Sequence, residues 1–141
     1  MNYRLNEEKM FADITDGIAI IINSETGIYY GMNTFATNVY ENIVAGVSIE
    51  KIKAAIEKIS DLPADFGENF KMFIDAMIAK EILVEGADGS AEADINVDLA
   101  KEDNYVLELK EYNDAQELLL ADPIHEVKEE TGWTPEKDSI G

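Results

Sequence analysis

Three side chains in the second half of the chain have the spacing of calcium ligands. Asp94, Asn96 and Asp98 alternate as the first ligands of an EF-hand loop do, at its first, third and fifth positions. That loop needs a glycine at its sixth position for a sharp turn and a bidentate glutamate at its twelfth. Leu99 and Tyr105 stand at these positions. The pattern is therefore too incomplete to predict a calcium site.

The only histidine, His125, lies among carboxylates at Asp122, Glu126, Glu129 and Glu130. A histidine beside acids could act as a metal ligand or a general base. No second histidine and no cysteine completes a ligand set, so a structural or surface role stays open beside the chemical one. The chain also lacks a Gly-rich phosphate loop and a G-x-S-x-G nucleophile motif. We therefore expect a protein that is not an enzyme and that carries no metal and no cofactor.

The net charge excludes two classes of partner. With 30 acidic and 11 basic residues, the chain carries −19 at neutral pH. Binding to nucleic acid requires basic side chains that displace counterions from phosphates, and an anionic membrane surface makes the same demand. We therefore expect no nucleic-acid partner and no membrane partner.

A cytoplasmic location is expected from the absence of targeting and membrane segments. No apolar run approaches the roughly 20 residues that a membrane-spanning helix needs. The first residues, MNYRLNEEKMF, are polar and acidic, whereas a signal peptide has a basic region before an apolar one.

The stretch that organises the chain is Asp16–Asn33. Two apolar runs, Ile18–Ile22 and Ile28–Met32, flank the polar, glycine-containing segment Asn23–Gly27. This pattern predicts a β-hairpin. A further short strand around Lys9–Ala12 precedes it, so a three-stranded antiparallel meander is expected.

Three helices are predicted after the hairpin. Their N-terminal signals are Asn33 or Thr34, then Ser48, then Asp65 with Glu68 as a capping box. The expected fold is α+β and winged-helix-like, with the meander followed by three helices and an acidic C-terminal extension. The third helix carries a broad apolar stripe, which by default belongs to the core.

The chain divides by composition after residue 86. Residues 1–85 carry 7 basic and 14 acidic side chains, whereas residues 86–141 carry 4 basic and 16 acidic ones. We predict a domain at 1–86, a linker at 87–103 and an acidic extension at 104–141. Within the extension a strand is predicted at Tyr105–Lys110 and a short helix at Asp114–Leu120.

An unpaired sheet edge is the feature that suggests a function. If the strand Ile28–Met32 forms that edge beside the third helix, an extended peptide can pair with it as a fourth strand. The segment Tyr105–Lys110 could instead add to that edge, or to the opposite one, from within the same chain. A third alternative is that the extension packs elsewhere and only enlarges the core.

The pattern GIAIIINSETGIYYGMNTFATNVYENIVAGVSIEKIKAAI, with FKMFIDAMIAKEILV after it, resembles the PqqD family across about residues 9–85. These are RiPP recognition elements, which bind the leader region of a ribosomally made precursor peptide and present it to a modifying enzyme, often a radical SAM protein. Two residues depart from the family pattern. Glu81 stands where a glycine is common, and Asn69 stands where founding members tend to have an aspartate.

The resemblance implies a peptide-binding site on a non-catalytic peptide chaperone. Its residues would be those of the pairing strand and the facing wall of the third helix: Ile28, Tyr29, Tyr30, Gly31, Met32, Phe70, Phe73, Ile74 and Met77. The implied partners are a precursor peptide and a peptide-modifying enzyme, and a homodimer is compatible with the sequence. The alternative is a winged-helix regulatory or protein-interaction module without a role in peptide modification.

Overall fold

The computed structural model describes residues 2–86, 89 and 91–113. The predicted helix at 114–120 and the segment 122–133 with His125 lie outside these residues. By its internal contacts the chain divides into two units, Met1–Glu111 and Tyr112–Gly141. The contacts discussed below lie within the first unit.

The described part of the chain is a mixed α+β fold. Its elements in chain order are β1 (Tyr3–Leu5), β2 (Met10–Thr15), β3 (Ile18–Asn23), β4 (Tyr29–Met32), α1 (Thr34–Val44), α2 (Ile49–Glu57), α3 (Phe66–Ala79), β5 (Leu83–Glu85), α4 (Val97–Glu102) and β6 (Leu109–Tyr112). In the described residues, no helix is long and apolar enough to cross a membrane.

The main sheet contains four strands, in the order β2-β3-β4-β6. The antiparallel pairings of β2 with β3 and of β3 with β4 confirm the predicted hairpin and meander. The sheet is nevertheless not three-stranded as predicted, because β6 joins it from the C-terminal extension. β1 and β5 form a separate antiparallel pair that the sequence analysis did not predict. Strands of three residues are too short to show a clear alternation of apolar and polar side chains.

Local turn chemistry sets the register of the meander. Asp16 and Gly17 form the two-residue connection of β2 to β3, both with positive φ, as a turn that matches the twist of a hairpin requires. Between β3 and β4, the Asn23 side chain accepts hydrogen bonds from the backbone N–H groups of Glu25 and Thr26. Both connections therefore depend on short-range contacts.

Two of the three predicted helix N-caps are present. Asn33 accepts a hydrogen bond from the Ala36 N–H, and Ser48 accepts one from the Lys51 N–H. Asp65 makes no side-chain cap hydrogen bond, so the predicted capping box with Glu68 is wrong. The backbone of Asp65 has φ −92° and ψ 8°, outside the extended conformation of the other two caps.

The α3 helix ends in a Schellman motif. The N–H groups of Glu81 and Ile82 donate to the carbonyls of Ile78 and Met77, and Glu81 adopts a φ of 65°. A left-handed residue at this position is usually glycine because glycine has no Cβ to clash. Glu81 therefore occupies a backbone position that favours glycine.

The predicted linker at 87–103 contains a helix. Asn96 caps α4 by accepting hydrogen bonds from the N–H groups of Asp98 and Leu99, and α4 packs against α1. Ala100 of this helix is fully buried in the hydrophobic core. The segment therefore contributes to the packed domain, although its small polar residues are typical of a connection.

Candidate functional site

The strand predicted as the free edge, β4, is paired on both sides. It lies between β3 and β6 in the sheet order, so β6 occupies the edge that was predicted to be open. Of the alternatives considered for Tyr105–Lys110, the structure has the one in which the segment adds to the β4 edge. The added strand begins at Leu109. The edge strands of this sheet among the described residues are β2 and β6.

Asn33 holds the chain at the point where it enters β6. Its side-chain Oδ1 accepts a hydrogen bond from the Glu108 N–H at 3.2 Å, and its Nδ2 donates to the Val106 carbonyl at 2.8 Å. The same Oδ1 caps α1 through the Ala36 N–H. Because Asn33 follows β4 and Glu108 precedes β6, the start of β6 lies at the end of β4, as in an antiparallel pair.

Two asparagines one turn apart on α1 bind the backbone of the segment just before α4. The Asn42 amide accepts from the Asp94 N–H at 2.6 Å and donates to the Asp94 carbonyl at 3.0 Å. Asn38 accepts from the Asn96 N–H at 2.7 Å and donates to the same Asp94 carbonyl at 3.3 Å. These contacts involve main-chain atoms of this segment, so they fix its path independently of its side chains.

Asp103 provides a further attachment, at the N-terminus of α1. Its carboxylate accepts hydrogen bonds of 2.8 Å from the Thr34 hydroxyl and from the Phe35 N–H. A carboxylate at this end of a helix also interacts favourably with the helix dipole. The residues between α4 and β6 are thus fixed at both ends of their path, by Asp103 and by Asn33.

A groove of about 560 Å³ runs between α3 and the segment that leads into β6. This volume is in the range of sites that bind small molecules. Its lining combines apolar side chains with a few polar ones: Pro63, Asp65, Phe66, Asn69, Met72, Phe73, Ala76, Asn104, Tyr105, Val106, Leu107 and Leu109. Met72 is 63% exposed, so this part of α3 presents an apolar side chain that the core does not use.

The chain bends sharply at one end of the groove. Asn104 and Tyr105 both have positive φ, at 53° and 62°. The Tyr105 hydroxyl donates a hydrogen bond of 2.7 Å to the Asp61 carboxylate, which raises the pKa of Tyr105 and lowers the pKa of Asp61. Left-handed backbone is strained for a residue with a bulky side chain, so this bend depends on the contacts around it.

The residues predicted as the peptide site are distributed over several environments. Tyr30 and Met32 of β4 are buried beneath the sheet, whereas Ile28, Tyr29 and Gly31 are half-buried. On α3, Phe73 lines the groove beside β6 and Met77 lies wholly in the core. Phe70 and Ile74 line a different groove of about 400 Å³ between α2 and α3. The fold therefore does not join all nine residues into one surface.

Lys80, which the sequence analysis did not single out, links α3 to the strands. Its Nζ lies 2.9 Å from a Glu111 carboxylate oxygen and 5.8 Å from the centroid of the Tyr30 ring. Burial raises the pKa of Tyr30, the Glu111 carboxylate adds to the increase, and Lys80 opposes it. This basic side chain thus lies beside the outer strand.

The sequence contains only partial signals for the site residues that the sequence analysis did not identify. Asn33 was recognised as a helix cap, but nothing local indicates that its amide also binds residues more than 70 positions away. The alternation in Tyr105–Lys110 indicated a strand without identifying its partner. Asp94 and Asn96, considered as metal ligands, bind α1 and cap α4 instead. Within the described ranges, no three His, Asp or Glu side chains come together as a metal site.

Comparison with known proteins adds no relative to this description. No known family model, no curated protein and no solved structure matches this chain.

Proposed function

We propose that this protein is a non-catalytic peptide-binding protein that takes up an extended peptide at β4 beside α3. The observation that carries the proposal is the position of β6 beside β4. A segment of the chain's own extension pairs with β4 as an added strand and forms a wall of the groove along α3. Strand addition combines main-chain hydrogen bonds, which give affinity, with side-chain pockets, which give specificity.

The proposed biological role is recognition of the leader region of a ribosomally made precursor peptide. The resemblance of residues 9–85 to the PqqD family supports this role, and the proposal includes the winged-helix-like fold that this resemblance implies. In this role the bound peptide is presented to a modifying enzyme, for example a radical SAM protein, in the cytoplasm. The −19 net charge favours a peptide partner over nucleic acid.

The test is a titration of the full-length protein with synthetic peptides from short open reading frames beside its gene. Saturable binding with a Kd in the micromolar range or tighter is expected for the cognate peptide. Met72→Ser on the groove wall should weaken that binding. Phe11→Ser is the matched control, because Phe11 is 65% exposed on β2, the opposite edge strand.

Two results would contradict the proposal. One is the absence of binding by every neighbouring peptide. The other is an equal loss of affinity in Met72→Ser and Phe11→Ser, which would indicate non-specific contact with exposed apolar side chains.

A further inference from the structure

The strand β6 shows which side-chain chemistry the β4 edge accepts. Glu111, in β6, pairs with Lys80 at 2.9 Å. Leu107 and Leu109 line the groove against α3 and are half-buried. Residues two apart lie on the same side of an extended chain, so these three side chains form a repeating pattern with period two. Two apolar positions are followed by one carboxylate.

The main chain of the same segment is positioned independently of its side chains. Asn33 binds the Val106 carbonyl and the Glu108 N–H through its side-chain amide. Any extended segment can offer a carbonyl and an N–H two residues apart. Asn33 therefore fixes the position of the main chain, and the side chains at the next positions decide which segment fits and in which register.

The positive charge of Lys80 selects among the peptides that could pair with β4. Residues 1–85 carry 14 acidic and 7 basic side chains, so the surface as a whole attracts basic peptides and repels acidic ones. A carboxylate placed beside Lys80 is favourable only in the register that brings it there. Both side chains of the Lys80–Glu111 pair are partly exposed, at 34% and 44%, so the pair is open to exchange with a similar one.

We propose, on the basis of the proposed function, that β6 is a resident ligand of the β4 edge. The peptide that replaces it carries the same pattern, with two apolar residues at alternate positions and then a carboxylate that binds Lys80. Lys80 is thus the residue that determines specificity and register, and Asn33 is the residue that positions the main chain.

The experiment uses two full-length variants that loosen β6 in the same way. Glu111→Lys places two cations opposite each other, and Lys80→Glu places two anions there. The probes are a fluorescein-labelled peptide of residues 104–113, NYVLELKEYN, and the same peptide with Glu111→Lys. Binding is followed by fluorescence anisotropy at physiological salt, and hydrogen exchange of β6 and of α1 reports loosening and intact folding.

The expected result is an inversion of preference. For each variant, the measured quantity is the ratio of its affinity for the glutamate peptide to its affinity for the lysine peptide. This ratio should be about fivefold higher for the Glu111→Lys protein than for the Lys80→Glu protein, as expected for a partly exposed ion pair. Measurement at physiological salt screens the general attraction of the acidic surface for basic peptides at distances beyond about 8 Å, whereas the contact at Lys80 is much shorter.

Each of the other three outcomes would contradict a specific part of the proposal. Binding of both peptides with the same relative affinity in both variants would overturn the role of Lys80 and leave peptide binding at the edge intact. Absence of binding to variants whose β6 amides exchange faster would overturn both this inference and the proposed function. Unchanged β6 exchange without binding would show that β6 is a permanent strand and not a replaceable ligand.

Discussion

The side chain of Asn33 accepts a hydrogen bond from the backbone N–H of Glu108, 75 residues further along the chain. The same oxygen atom caps α1 through Ala36, so one side chain connects the start of a helix to the entry of the outer strand. The amide group completes the connection by donating to Val106. Asn33 is therefore one of the residues that couple the folding of α1 to the docking of the extension.

Substitutions of Asn33 should separate these two roles. Asn33→Asp keeps an acceptor for the Ala36 N–H but loses the donor to Val106 and places an anion beside that carbonyl. We expect the free energy of unfolding to change by less than about 0.5 kcal/mol, while the amides of residues 106–112 exchange faster. Asn33→Ala should cost about 1 kcal/mol more, because it also removes the cap. Urea unfolding and hydrogen-exchange mass spectrometry measure the two effects, and equal exchange in Asn33→Asp and the unmodified protein would contradict the assignment.

Asn42 should be the most costly of the α1 asparagines to remove. It is 5% exposed and binds both main-chain polar groups of Asp94. Asn42→Ala leaves those groups without their partner and should reduce the free energy of unfolding by about 1–3 kcal/mol. Asn38→Ala is the matched comparison, since Asn38 makes similar contacts from a half-buried position and should cost less. A larger loss in Asn38→Ala, measured by urea unfolding, would contradict the importance of burial here.

Glu81→Gly should relieve backbone strain at the end of α3. Glu81 holds a φ of 65°, which glycine adopts without a steric penalty. The reference is Glu81→Ala, which removes the same ion pair with Lys9 but keeps the penalty. We expect Glu81→Gly to be about 1 kcal/mol more stable than Glu81→Ala by thermal or urea unfolding. Equal stability of the two variants would show that the left-handed conformation carries no cost at this position.

Tyr40 should make the protein sensitive to alkaline pH. Burial raises the pKa of Tyr40 from its ordinary value of 10.0 to about 12 in the folded state. A raised folded-state pKa favours the folded protein below the unfolded-state value, and that contribution is lost as pH rises through the folded-state value. Stability should therefore fall between pH 10 and about 12, and Tyr40→Phe should fall less over this interval. Urea midpoints measured across this range test the prediction, and parallel curves for the two proteins would contradict it.

Local sequence was sufficient to predict the meander and the starts of two helices. Asp16–Gly17 forms a tight connection through positive φ angles, and Asn23–Gly27 forms one through short-range hydrogen bonds. The apolar runs beside them supply the strands. Asn33 and Ser48 cap helices through contacts three residues away. Interactions over such short separations are encoded where they occur, so a sequence pattern reveals them.

Tertiary structure decided which edge the extension covers and how the α3 stripe is used. The apolar spacing on α3 predicts burial, but not that Met77 lies in the core while Phe73 and Ile74 line separate grooves. The alternation in Tyr105–Lys110 predicts a strand, but its pairing with β4 depends on contacts with Asn33 and Lys80. Such contacts join residues far apart in sequence, and only the packed chain determines which of several compatible partners meets which strand.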